Sequence, residues 1–137
     1  MWPFLLFIKG DRMKFSESLK KNKDFQNVYR KGKSQANKYL VMYLWRNDSE
    51  KNRLGISVSK KVGNSVVRHR VTRLIRESYR LNEDRFQRGY DFVVIARPQA
   101  KSCGFHEIES ALIHMARIHK VEVHSVKNVL EEKAEEI

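Results

Sequence analysis

Within residues 60–81, KKVGNSVVRHRVTRLIRESYRL, five arginines (Arg68, Arg70, Arg73, Arg76 and Arg80) stand against a single acid, Glu77. Arginine presents a planar fork of N–H donors that matches two phosphate oxygens at once, so a run of this kind is chemistry for holding a polyanion. At 3.6 residues per turn, Val67, Val71, Leu74, Ile75 and Ser78 fall on one side of a helix, with His69, Arg73, Arg76 and Arg80 on the other. One side packs and the other is a cationic rail. Ahead of it, Lys60 and Lys61 lead into Gly63-Asn64-Ser65, where Asn64 or Ser65 can cap the helix. The helix N-terminus adds its own partial positive charge, which makes this loop a phosphate site. The spacing is not a Walker pattern, so no nucleoside triphosphate pocket is read there.

A second set of residues suits bases rather than phosphates. Phe25 and Tyr29 lie at i,i+4 on a short helix that Asn22 can cap and Gly32 can stop, so the two rings sit side by side. They serve either as core anchors or as a shelf for bases. Residues 39–46, YLVMYLWR, alternate as a strand with Leu40, Met42 and Leu44 on one side and Tyr39, Val41, Tyr43 and Trp45 on the other. Residues 53–59 follow as a strand with Leu54, Ile56 and Val58 opposite Gly55, Ser57 and Ser59. If the aliphatic sets share one buried face, large rings lie beside Gly and Ser on the other. That is a trough for an unpaired strand, or else a second core face covered by the first helix.

The remaining elements position these two sets. Residues 91–97, DFVVIAR, are an apolar run short enough for a buried strand, joined to the preceding strand through the arginine helix as a βαβ unit. Between about 105 and 118, Ile108, Leu112 and Met115 recur at i, i+4, i+7, an amphipathic helix laid on the sheet. His114 and His119 are read as boundary residues of that helix.

Composition bounds the partners. The 28 Lys and Arg against 16 Asp and Glu give +12, and residues 1–119 alone carry +14, so the basic charge belongs to the body and the tail is acidic. Nucleic acid is the first partner implied, an anionic membrane surface the second. The single Cys103 excludes an internal disulfide and a cysteine-rich zinc site and points to a reducing, cytosolic setting. No two of the five histidines form an i,i+4 metal pair with an acid, and no protein-bound metal is assigned. The opening MWPFLLFIKGDR is too short for a membrane span and lacks signal-peptide flanks. Met13 is followed by sequence that reads as a beginning, so residues 1–12 are expected to be an extension from an upstream start, with a membrane-resting tag as the other reading. The organisation is thus an extension over 1–13, one domain over 14–120 and an acidic tail over 121–137.

Leu19-Lys20-Lys21-Asn22 with Asp24-Phe25-Gln26, then Ser57-Val58-Ser59-Lys60-Lys61-Val62-Gly63-Asn64, then Arg68-His69-Arg70 followed by Arg73-Leu74-Ile75-Arg76, resemble the bacterial ribonuclease P protein component over most of residues 14–120. The resemblance implies an α/β (α+β) sandwich, ribosomal-protein-S5-domain-2-like. It has a mixed central sheet and the arginine helix in a βαβ crossover that is left-handed, against the general rule. It implies a cytoplasmic accessory subunit of an endoribonuclease whose RNA subunit is the catalyst, removing the 5′ leader of precursor tRNA. No catalytic residue is then expected in the protein, Mg²⁺ is held mainly by RNA, and neither a membrane nor an obligate protein partner is called for. By position, Phe25, Tyr29, Val41, Tyr43 and Ser57 form the leader cleft. Lys60, Lys61, Asn64, Arg68, His69, Arg70, Arg73, Arg76 and Arg80 face RNA. Two positions depart from the family pattern: His69 replaces an asparagine, and Thr72 stands where many members are basic. A histidine still hydrogen-bonds to RNA, with a charge that varies near neutrality, so affinity is expected to rise modestly toward pH 6.

Two other functions compete. A general RNA-binding or ribosome-associated protein would use the same rail without a leader trough. A self-sufficient nuclease would need several close carboxylates for its metals, whereas Glu77 stands alone and Glu107 and Glu109 belong to another helix.

Overall fold

The computed structural model describes residues 13–123. A five-stranded mixed sheet is built from β1 (Ser16–Ser18), β2 (Lys33–Ala36), β3 (Leu40–Arg46), β4 (Asn52–Ser57) and β5 (Tyr90–Ala96), in the spatial order β1-β4-β5-β3-β2. Three helices accompany it: α1 (Asn22–Lys31) before β2, α2 (Ser65–Leu81) between β4 and β5, and α3 (Phe105–Ile118) after β5. Strands β4 and β5 pair in parallel, so α2 is the crossover of the expected βαβ unit. The β2-β3 and β3-β5 pairs are antiparallel.

The main core lies between one sheet face and helices α2 and α3. Leu40, Met42, Phe92 and Val94 point into it from the strands, and Val71, Ile75, Ile108 and Leu112 meet them from the helices, each at most 1% exposed. These are the 3.6- and 2-period positions expected from the sequence. Tyr79 joins them, with its hydroxyl tied to Ser16 Oγ at 2.7 Å and to Asn52 Nδ2 at 3.2 Å. Burial pushes that phenol up to about 12.

Polar ties fix the margins. Buried Glu83 accepts the backbone N–H groups of Lys14 (2.6 Å) and Phe15 (3.1 Å), which anchors the start of β1. Arg53 donates two bonds to buried Asp91, at 2.9 and 2.6 Å, joining β4 to β5. Val121 is buried, and Glu122 pairs with Arg85 and Arg117 at 2.7 Å each, so the packed body runs past Lys120. The extension over 1–12 and the rest of the acidic tail lie outside the described residues.

Several local expectations change. Lys21, not Asn22, is the N-cap residue of α1, and no side chain caps that end. Gly32 does end the helix, but with φ −78; a Cβ there would lie 2.5 Å from the Val28 carbonyl oxygen and 2.9 Å from that of Leu44. It is a glycine for close approach to β3. Tyr39 precedes β3 and packs with the main core, its hydroxyl donating to Glu107 at 3.4 Å, so it is not on the face of Tyr43 and Trp45. Strands β1 and β2 carry no apolar alternation and form as polar edges held by their ladders.

Candidate nucleic-acid interface

The strand register sorts the second sheet face into rows running across the strands. One row is Ala36, Val41, Ile95 and Ser57; the next is Ser34, Tyr43, Val93 and Gly55; a third holds Trp45, Asp91 and Arg53. Helix α1 lies over the second and third. Its Val28 is fully buried, as is Val93 below it, in a small cluster with Leu19. Asp24 reaches Arg53 at 3.4 Å, and Lys31 Nζ sits 5.8 Å from the centre of the Trp45 ring. In the first row Ala36 is exposed and Val41, Ile95 and Ser57 are half-buried, with Ile95 packed against the margin of that cluster.

Tyr29 borders this open strip. Its ring meets Tyr43 edge-on at 5.1 Å, its hydroxyl is hydrogen-bonded to Ser57, and burial raises its pKa. Phe25, 6.3 Å from Tyr29, lies against Gly55, where a Cβ would come within 2.6 and 2.7 Å of the ring. All three rings stay half-buried. This face is therefore a second core under α1, with an aromatic-walled margin beside it. The expected low floor at Gly55 is corrected, because Phe25 already fills it.

The strip ends at Ser57, where the chain leaves β4 for exposed Lys60 and Lys61 and then the N-terminus of α2. Asn64 caps that helix, its side-chain oxygen accepting the Val67 N–H at 3.0 Å. On α2, His69, Arg70, Arg73 and Arg76 are exposed and Arg68 is half-buried, with its Nε enclosed without a hydrogen-bond partner. Arg80 of the rail and the neighbouring Arg70 are committed elsewhere. Arg80 pairs with Glu77 and both side chains are only 12% exposed, so Arg80 is withdrawn from the open face by its i,i+3 partner. Arg70 donates to the carbonyls of Cys103 (2.8 Å) and Lys101, which fastens α2 to the turn after β5.

Sequence reasoning placed Trp45 on this face but missed Ile95 and Ala36 on the strip, and Lys31 over Trp45 at its far side. An unbroken apolar run such as FVVIA gives no alternation, and only the pairing of Ile95 with Val41 and Ser57 assigns its face. Among the described residues no group of three or more His, Cys, Asp or Glu is placed to hold a metal, and no helix is long and apolar enough to cross a membrane.

A mixed sheet that presents an arginine-bearing crossover helix beside an aromatic strip defines an RNA-binding α/β protein. The Ribonuclease P family profile matches residues 13–120, and the chain belongs to that family. A "Ribonuclease P protein component" of Lachnoclostridium phytofermentans is 61% identical over 106 residues, covering 77% of this chain and 91% of the relative. The RNase P protein of Staphylococcus aureus superposes with a TM-score of 0.71 at 43% identity, covering 76% of this chain and 95% of that one. That of Thermotoga maritima gives 0.68 at 30% identity, covering 73% and 96%. The mixed-sheet α+β fold is that of these proteins, and the chain's role is that of the protein subunit of the endoribonuclease ribonuclease P, an RNA-binding ribonucleoprotein component of tRNA processing whose partner is the ribonuclease P RNA.

Proposed function

We propose that the strip of Ala36, Val41, Ile95 and Ser57, walled by Tyr29 and Tyr43, holds the single-stranded 5′ leader of precursor tRNA. The exposed face of α2 and the Lys60-Lys61 loop then engage RNA at the cleavage site. The observation that carries this reading is continuity: the strip runs directly into the basic loop at Ser57. A strand stacked on the rings would deliver its phosphates to lysines and to a helix N-terminus, an arrangement that suits unpaired RNA. Lys60, Lys61, Asn64, Arg68, His69, Arg73 and Arg76 form the phosphate-facing set, Arg70 holds that set in place, and Arg80 acts within the protein. Mg²⁺ is supplied through RNA phosphates, and the work is done in the cytoplasm by the packed domain that begins near residue 14 and runs past Lys120.

The test is equilibrium binding of precursor and mature tRNA to the holoenzyme. Tyr43→Ala and Phe25→Ala are expected to cost roughly 1–3 kcal/mol for the precursor through lost stacking and nothing for mature tRNA. Equal losses for both would support a general RNA binder instead. Cleavage of precursor tRNA at low Mg²⁺ by the cognate RNA, with and without the protein, tests the catalytic contribution.

A further inference from the structure

At the sheet edge where the strip ends, the chain turns from Ala36 through Asn37 and Lys38 to Tyr39, and on the other side of that turn lies an open groove of about 490 Å³ against α3. This is within the size range of about 300–1,000 Å³ that small-ligand sites occupy. His106, Ser110 and His114 line it from α3 at i, i+4, i+8, a single polar file facing the turn. From the turn come the Tyr39 ring and Lys38, whose Nζ lies 5.3 Å from the centre of that ring. The one acid in the lining, Glu107, is already engaged, accepting from the Tyr39 hydroxyl at 3.4 Å and from the Gly104 N–H at 3.1 Å. What remains facing the groove is an aromatic surface, a lysine and hydrogen-bonding imidazoles, a set complementary to a base and its phosphate.

We infer that this groove is a second leader site, which takes nucleotides farther from the cleavage point after the strand has crossed the strip and rounded the β2-β3 turn. The inference rests on the leader reading of the strip, whose Ala36 end adjoins the groove through the next residue, Asn37, in the groove lining. Four adjacent strands span about 14 Å, room for about four nucleotides at stacked spacing, so only longer leaders reach the groove. Asn37 holds the turn in place, donating through Nδ2 to the Ala111 carbonyl at 3.0 Å and sharing a hydrogen bond with His114 Nδ1 at 3.2 Å.

The experiment compares holoenzyme binding to precursor tRNAs whose leaders are about three and about ten nucleotides long, using Lys38→Ala, His106→Ala and Tyr43→Ala. With the long leader, Lys38→Ala is expected to weaken binding about fourfold at 0.15 M salt and to lower the salt slope by about 0.7, the share of one single-strand phosphate contact. His106→Ala should weaken it in the same direction, and neither variant should change the short leader. Tyr43→Ala should weaken both. Groove variants that are silent on the long leader, while Tyr43→Ala acts, overturn the groove alone. Groove losses equal for long leader, short leader and mature tRNA also overturn it and assign the groove to the RNA subunit. A silent Tyr43→Ala overturns the leader reading and the groove with it.

Discussion

Gly55→Ala probes the margin of the strip without replacing any side chain that RNA would touch. An ideal Cβ at Gly55 lies 2.6 and 2.7 Å from two Phe25 ring carbons and 3.1 Å from a Leu19 methyl. Ordinary carbon contacts are about 3.5–4.0 Å, so the Phe25 ring must retreat by about 1 Å. Leu19 is 5% exposed and has little freedom, whereas half-buried Phe25 can tilt outward. The stability cost should therefore stay near the lower end of the 1–3 kcal/mol typical of overpacking, about 1 kcal/mol. If Phe25 contributes a stacking surface, the displaced ring forfeits part of the roughly 1–3 kcal/mol that one base contact supplies, or about fivefold in precursor affinity. The assay is a double-mutant cycle with Phe25→Ala, read as binding of labelled precursor and mature tRNA to the holoenzyme. In the Phe25→Ala background the clash is gone, so Gly55→Ala should add no loss, and the cycle should close with a coupling of about 1 kcal/mol. Additive losses, or equal losses for mature tRNA, would refute the claim that Gly55 acts by seating Phe25 beside a leader site.

Two further substitutions separate surface roles from internal ones. Arg76→Ala should weaken binding of the RNA subunit and lower the salt slope by about one unit per phosphate contact. Arg80→Ala should leave that slope unchanged and lower thermal stability, since it strands Glu77 at 12% exposure; urea melts and salt-dependent binding of both variants decide it. For Tyr79, the folded phenol ionises near 12 against about 10 when unfolded. The unfolded chain therefore loses its proton first as pH rises. The stability is fully present below pH 10, and roughly 2–3 kcal/mol of it is lost between pH 10 and 12. Tyr79→Phe should start about 1 kcal/mol lower at neutral pH, through its lost hydrogen bonds, and decline less steeply across that window than the parent. Denaturant midpoints at pH 8, 10 and 11.5 measure the difference.

The helices were legible because their burial follows a period that the sequence displays. The apolar file Ile108, Leu112, Met115 forecasts α3 almost to the residue, and Asn64 caps α2 as its type suggests. Strands β1 and β2 were not legible: SES and KSQA have no apolar face and are strands only because β4 and β3 offer them backbone partners. The rows of the second sheet face were equally hidden, since they depend on register between strands far apart in the chain. Arg80 differs from both, because Glu77 stands three residues before it and the i,i+3 pair was readable from spacing alone. The carbonyl partners of Arg70, more than thirty residues away, were not.

The topology also explains how one small domain keeps its cations available. Strands β4 and β5 run parallel, and both begin at the end of the sheet where Asp24, Asp91 and Glu83 are consumed in buried or half-buried ties to Arg53 and to backbone amides. Both finish at the opposite end, where Ser57 leads to Lys60 and Lys61, and Ala96 leads to Arg97 and Lys101. Helices α2 and α3 each start from that second end, so the positive poles of two helix dipoles point there as well. Acids are therefore spent near the strand starts, and the net charge of the body is expressed near the strand ends. A polyanion meets that end first, which steers the RNA toward the Ser57 junction before any base is read. On the proposed leader reading, sequence-independent attraction and the placement of an unpaired strand share one location, set by strand direction rather than by any single motif.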